Sequence, residues 1–229
     1  MQKPRIEAVL PSRKEISSFR RILLHWYRNH GRNYPWRKSP GPFHVLVAEM
    51  MLQRTKADQV VPVYLKLLNK YPTAGDLAEA DLTDLQEILK PLGLAWRICK
   101  FKEMAKALVD RFNGVIPARR EELKSLPGVG DYVSGAVLSI ALQKPEWVVD
   151  SNIVRLFRRY FAIQTSSEGR RDAHVIELAK RFTSKRLPGE TTLAILDFTA
   201  LVCAPALPRH DLCPLKSKCA FFNIQRKGH

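Results

Sequence analysis

The chain has 229 residues, enough for one full-size domain or for two lobes that each bury a core. Lysine and arginine number 38 against 22 aspartates and glutamates, for a net charge of +16, and a 45% hydrophobic content excludes a disordered basic tail. A folded chain so charged attracts a polyanion, with nucleic acid the leading class. No stretch reaches the roughly 18 apolar residues of a membrane span, and MQKPRIEAVLPSRKE lacks the apolar core of a secretory signal, which predicts a cytoplasmic protein.

Helical periodicity recurs over most of the chain and strand-like alternation is nearly absent, so the expected class is all-α. Residues 1–17 read as a basic arm. A helix over about 18–29 places Phe19, Ile22, Leu23, Trp26 and Tyr27 on one side. The Gly- and Pro-rich segment after it offers Trp36 and Arg37 either as a surface contact or as an aromatic packed under a loop. Residues 43–52, FHVLVAEMML, form an apolar helix with one carboxylate, Glu49. Desolvation there would favour its protonated form and suit general acid or base work; an exposed stripe would make it an ordinary surface acid. Gln53 and Arg54 offer polar side chains at the end of that helix. The next helix, about 57–70, tolerates Pro62 only near its first turn.

Asp81 is placed to cap a short helix, and Cys99 to sit as a core thiol on the flank of a helix over about 95–112. Asn113-Gly114 ends that helix. Leu94 and Trp96 form an apolar knuckle, either a wedge between bases or plain packing. LPGVG at 126–130 is a tight turn between two helical patterns. Gly128 and Gly130 permit close backbone approach, and the turn's N–H groups, near Leu126 and Val129, make an anion nest. Asp150 closes the extended run WVVD. It caps the next helix, or projects a carboxylate for chemistry, or does both. Arg155, Arg158 and Arg159 follow as positive charge behind it, partly a solvated face, and Asp197 is expected to cap or pair locally.

Near the C-terminus, Cys203, His210, Cys213 and Cys219 are separated by six, two and five residues. Thiols clustered in a reducing compartment point to a metal more than to disulfides, and three thiolates with one imidazole make a plausible tetrahedral set for an iron–sulfur cluster or zinc. Three neighbouring cysteines without metal are the alternative.

PWR at 35–37, EMMLQRT at 49–55, GLAW at 93–96, LPGVGDY at 126–132, VVDSNIVR at 148–155 and the Cys/His loop together resemble the helix-hairpin-helix DNA glycosylase superfamily, which includes endonuclease III, the adenine glycosylases and the mismatch-specific thymine/uracil glycosylases. The resemblance implies two helical lobes, residues 43–142 and residues 18–42 with 143–229, with duplex DNA across the groove between them and a nucleotide flipped out of the stack. It implies a phosphate clamp at 126–130 and Asp150 as the aspartate facing the sugar. Gln53 would fill the gap left by the flipped base, with Leu94 or Trp96 as wedge. Tyr132 stands where bifunctional relatives carry a lysine, so no Schiff base can form and hydrolysis without strand cleavage is implied. Glu49 matches the pocket acid of monofunctional relatives.

The expected activity is excision of thymine or uracil opposite guanine. Adenine opposite guanine or 8-oxoguanine is the second reading, and a helix-hairpin-helix module that binds DNA without reaction is the third. A monomer acting at the nucleoid, with no membrane partner, is expected. His210 departs from the family's four cysteines, so a [4Fe–4S] cluster with Cys3His ligation is expected, with zinc or no metal as alternatives.

Overall fold

The computed structural model describes residues 10–38, 41–93, 95–166 and 169–227, and for 95–97 and 227 the backbone alone. All regular elements among these residues are helical. They run α1 (Arg13–His30), α2 (Pro42–Met51), α3 (Ala57–Lys70), α4 (Ala74–Ala78), α5 (Leu82–Leu89), α6 (Ala95–Phe112), α7 (Arg120–Lys124), α8 (Asp131–Ala136), α9 (Ser151–Phe161), α10 (Ala173–Phe182), α11 (Pro188–Leu201) and α12 (Ala220–Lys227). The chain divides into two compact units, Asn33–Lys144, and Met1–Arg32 with Pro145–His229. Residues 33–42, grouped on sequence with the first helix, fall within the former.

In the 33–144 unit, α2 is apolar on nearly every side and buries Val45, Leu46, Val47, Ala48, Met50 and Met51. A helix with no polar stripe can only lie within a core, so the other helices pack around it. Helix α3 contributes Val60, Val63, Tyr64 and Leu67, and it continues through Pro62, its sixth residue, beyond the first turn. Pro62 lies on the exposed side, where water can serve the carbonyl that the missing N–H leaves open. Helix α4 starts on a reciprocal cap in which Asp76 N–H donates to Thr73 Oγ1 at 3.2 Å and Thr73 N–H to Asp76 Oδ2 at 3.0 Å. Asp81 caps α5 as expected, its Oδ1 accepting from Asp84 N–H at 3.0 Å.

Helix α6 packs on α4 and α5 and buries Phe101, Met104, Ala105 and Leu108. It ends where Asn113 and Gly114 turn left-handed and Gly114 N–H reaches back to the Leu108 carbonyl at 2.9 Å. Cys99 is exposed, which corrects its reading as a core thiol: the buried side of α6 is set by Ile98, Phe101 and Ala105, and residue 99 falls off that stripe.

In the other unit, α1 begins at Arg13, inside the stretch read as a loose arm. Ser12 and Glu15 form a capping box, with Glu15 N–H donating to Ser12 Oγ at 3.2 Å and Ser12 N–H to Glu15 Oε2 at 2.8 Å. The helix buries Ile16, Phe19, Leu23 and Trp26 and packs against α10 and α11. Phe19 anchors an aromatic cluster with Tyr160 at 4.6 Å, Phe161 at 5.0 Å and Phe182 at 5.6 Å between ring centroids.

Asp197, expected to pair locally, reaches instead to Arg32. One oxygen accepts from the Arg32 backbone N–H at 2.7 Å, and the other from Nε at 2.8 Å and Nη2 at 2.7 Å. The carboxylate is 0% exposed, so removing its charge strands a partly buried guanidinium. Asp197→Asn is expected to destabilise the protein by about 3 kcal/mol, seen as a lower urea midpoint. An unchanged midpoint would contradict the account of this pair.

Candidate nucleic-acid site and carboxylates

The turn between α7 and α8 is held from below by a buried arginine. Arg120, 9% exposed, donates from Nη1 to the Asp131 carbonyl at 2.7 Å and to Ser134 Oγ at 3.4 Å, which fixes the second helix on the first. Sequence reading missed Arg120, because a charged residue opening a short helix carries no mark of burial. Val129 N–H closes the turn on the Leu126 carbonyl at 3.1 Å. Gly128 is left-handed, with φ of 82°, a conformation that favours glycine, and a Cβ there would press on Met50 Cε at 3.0 Å and touch Lys100 Cβ at 3.4 Å. Leu126 and Val129 point into the core at 2% and 7% exposure, leaving the backbone to face outward. No acceptor among the described residues takes the N–H groups of Gly128 or Gly130, as an anion nest requires.

Helix α2 packs against α8 and against its continuation, Val137–Ala141, a wider turn in which Leu142 N–H donates to the Val137 carbonyl at 3.2 Å. This packing brings Gln53, just beyond α2, to the hairpin that carries Tyr132, and Glu49 lies one turn back on α2. Glu49 is 3% exposed, so it is not a surface acid on an open stripe. Gln53 donates from Nε2 to the Gly128 carbonyl at 3.2 Å, tying the end of α2 to the turn. Tyr132, half-buried, packs against the core from the first turn of α8. Arg54 is exposed at a positive φ of 62°, a conformation that costs a non-glycine residue about 1 kcal/mol.

Trp36 is only 3% exposed. It stacks on Tyr34 at 4.8 Å and meets Tyr64 edge-on at 5.3 Å, so of its two readings the packing group under the loop holds and the surface contact does not. Arg37 lies with its guanidinium 5.4 Å above the Tyr34 ring. Leu94 and the side chain of Trp96 lie outside the described residues.

Asp150 belongs to the other unit and does cap α9. Its Oδ1 accepts from Ile153 N–H at 2.8 Å, and its Oδ2 from Asn152 Nδ2 at 2.8 Å. Asn152 Oδ1 in turn accepts from Arg155 Nη1 at 2.7 Å. Three further bonds from Arg155 go to the Cys203 carbonyl, at 3.1 Å from Nε and 2.8 Å from Nη2, and to the Thr199 carbonyl at 3.1 Å. Arg159 binds the Ala204 and Pro205 carbonyls, each at 2.7 Å. These contacts divide the α9 arginines, so that Arg158 carries the solvated part of the face expected of them. Arg155 and Arg159 point inward and pin the loop after α11, while Arg158 is exposed. The orientation of Asp150 is thereby coupled through Asn152 and Arg155 to the cysteine loop.

Cys203, His210, Cys213 and Cys219 line one largely apolar pocket with Leu156, Tyr160, Phe198 and Phe221. Burial pushes the Cys213 thiol up to about 11 and raises that of Cys219 as well. Arg159 Nη1 approaches Cys203 Sγ at 3.5 Å, a cation beside the sulfurs. The His210 ring lies 4.9 Å from Phe222 and 6.2 Å from Phe221. Soft donors around one pocket fit an iron–sulfur cluster or zinc in chemical kind. Among the described residues, however, no three His, Cys, Asp or Glu side chains stand close enough together to hold a metal. No helix among the described residues is long and apolar enough to cross a membrane.

The family model of the HhH-GPD superfamily base excision DNA repair protein matches residues 47–182. A thymine/uracil-DNA glycosylase of Pyrobaculum aerophilum is 37% identical, over 96% of this chain and 97% of its own. An adenine DNA glycosylase of Rattus norvegicus is 34% identical over 90% of this chain but only 42% of its own length. Among solved structures, a thermostable thymine-DNA glycosylase superposes with a TM-score of 0.84 at 29% identity, covering 92% of this chain and 98% of that one.

Proposed function

Because the chain belongs to the HhH-GPD superfamily of base excision DNA repair proteins, we propose that Asp150 and Glu49 act together on one nucleotide turned out of duplex DNA, releasing thymine or uracil opposite guanine. The protein is a DNA glycosylase, a hydrolase of N-glycosyl bonds, and DNA is its partner. The observation that carries the residue assignment is the fixed carboxylate of Asp150, both of whose oxygens are held by N–H donors at 2.8 Å. An acceptor-only group so held stabilises positive charge without reorganising when that charge appears.

Flipping costs a few kcal/mol of stacking and pairing, least at a mismatch. The N–H groups of the 126–130 turn grip the backbone beside the flipped nucleotide, while Gln53 fills the gap left by the flipped base and Arg54 contacts the DNA. The C1′–N bond then breaks. Glu49 protonates or polarises the leaving base, the bonding electrons depart with the base, and the sugar becomes an oxocarbenium ion facing Asp150. Water adds at C1′ and loses a proton, leaving an abasic site. Tyr132 brings no amine to C1′, so no Schiff base forms and the strand stays intact.

Cys203, His210, Cys213 and Cys219 are the residues that would hold a [4Fe–4S] cluster, zinc being the second possibility. Bound there, the metal would crosslink the 203–219 loop to which Arg155 is tied, and no step of the reaction runs through it. Brown protein with iron and broad visible absorbance is the expected preparation; a colourless, zinc-bearing one would overturn the cluster and leave the glycosylase reading in place. A monomer acting at the nucleoid completes the proposal.

The test is a set of labelled duplexes holding T·G, U·G, A·G or A·8-oxoguanine pairs, treated with alkali after incubation. T·G and U·G strands should break only after alkali, with no adduct trapped by borohydride. Preferential loss of adenine would move the enzyme to the adenine branch, a trapped adduct would contradict the role of Tyr132, and binding with no base released from any duplex would reduce the protein to a DNA-binding module.

A further inference from the structure

We propose that Lys100 is an additional phosphate-binding residue of the hairpin site, held by Glu103 until DNA arrives. The proposal rests on the reading of the 126–130 turn as a contact to the DNA backbone. Helix α6 runs beside that turn, and the stem of Lys100 lies over its glycine: a Cβ on Gly128 would be 3.4 Å from Lys100 Cβ and 4.0 Å from Lys100 Cγ. The four-carbon stem of a lysine lets its ammonium swing from that point toward any anion seated on the Gly128 and Gly130 N–H groups.

Two ion pairs flank the turn, and they are not equivalent. Lys124 holds Asp131 at 2.6 Å, with side chains 41% and 50% exposed. Asp131 opens α8, so its carboxylate stands beside the anion nest and would repel a phosphate. Moving Lys124 to a phosphate would leave that carboxylate unopposed beside the nest. Lys100 pairs at 2.6 Å with Glu103, one turn further along its own helix, with side chains 43% and 47% exposed. An exposed pair of this kind is weak, so the ammonium can exchange Glu103 for a phosphate oxygen at little cost. The exchange adds a second cation to the nest while the first stays with Asp131.

The test measures binding of a short undamaged duplex by fluorescence anisotropy over a range of salt. The parent should show a steep linear dependence of log Kd on log salt, and Lys100→Met should lower the magnitude of that slope by about 0.9, the share of one phosphate contact. Lys100→Arg should restore the slope, which a purely structural role for the stem would not require. Glu103→Gln should tighten binding in the parent, and should do so far less in the Lys100→Met background. Should Lys100→Met fold poorly, Lys100→Gln, which also removes the charge, takes its place in the slope measurement and in the double-mutant comparison.

A parental slope retained in full by Lys100→Met, or a Glu103→Gln effect unchanged without Lys100, would overturn the proposal and leave the hairpin reading intact. A parent whose binding barely responds to salt would overturn the hairpin reading itself.

Discussion

Asparagine in place of Asp150 is expected to slow base excision on the order of 10³-fold in single-turnover kinetics on a U·G duplex, with duplex binding retained. The substitution separates two roles that share one side chain. An asparagine oxygen can still accept from Ile153 N–H, because asparagine is as good an N-cap as aspartate. Its NH2 group then faces the amide of Asn152, whose own NH2 now points at Asp150 at 2.8 Å. Asn152 must turn or lose that bond, and turning it weakens the bond from Arg155. The cost to folding should be about 1 kcal/mol, the net worth of one hydrogen bond. So small a loss leaves the protein folded under assay conditions, and the kinetic defect is then electrostatic. Excision within a few-fold of the parent would remove Asp150 from the chemistry.

Glu49→Gln is expected to slow excision on the order of 10²-fold. Glutamine nearly matches glutamate in volume, so a side chain 3% exposed in the last turn of α2 keeps its packing. What it loses is the ability to pass a proton to the departing base. The defect should shrink when the leaving base needs less help: 5-fluorouracil, whose anion is more stable than that of uracil, should narrow the gap between variant and parent. An equal defect for both bases would indicate that Glu49 shapes the pocket without assisting departure.

Much of this arrangement was legible in the sequence because it is local. The hairpin turn, the Asp150 cap and the Asp81 cap each lie within a few residues, where backbone geometry leaves few choices. The capping box of Ser12 and Glu15 was equally local, yet the surrounding basic composition disguised it as part of an arm. What the sequence hid is long-range pairing. Nothing near Asp197 points to Arg32, which lies 165 positions away. Arg155 and Arg159 look like solvated charge until the loop carrying Cys203 folds back over them. Glu49 and Trp36 were each balanced between burial and exposure, because a single polar residue in an apolar helix and a single aromatic in a loop leave the facing side undetermined. Packing resolved both toward the core.

The most direct measurement compares two duplexes that carry an unreactive sugar analogue at the mismatch, one a neutral tetrahydrofuran and the other a pyrrolidine bearing positive charge where the oxocarbenium ion would form. The parent should bind the cationic analogue at least about 10²-fold more tightly, and Asp150→Asn should bring the two affinities nearly together. A preference for the cation that persists at full strength in Asp150→Asn would mean that the charge is sensed elsewhere, and that this carboxylate does not face the sugar.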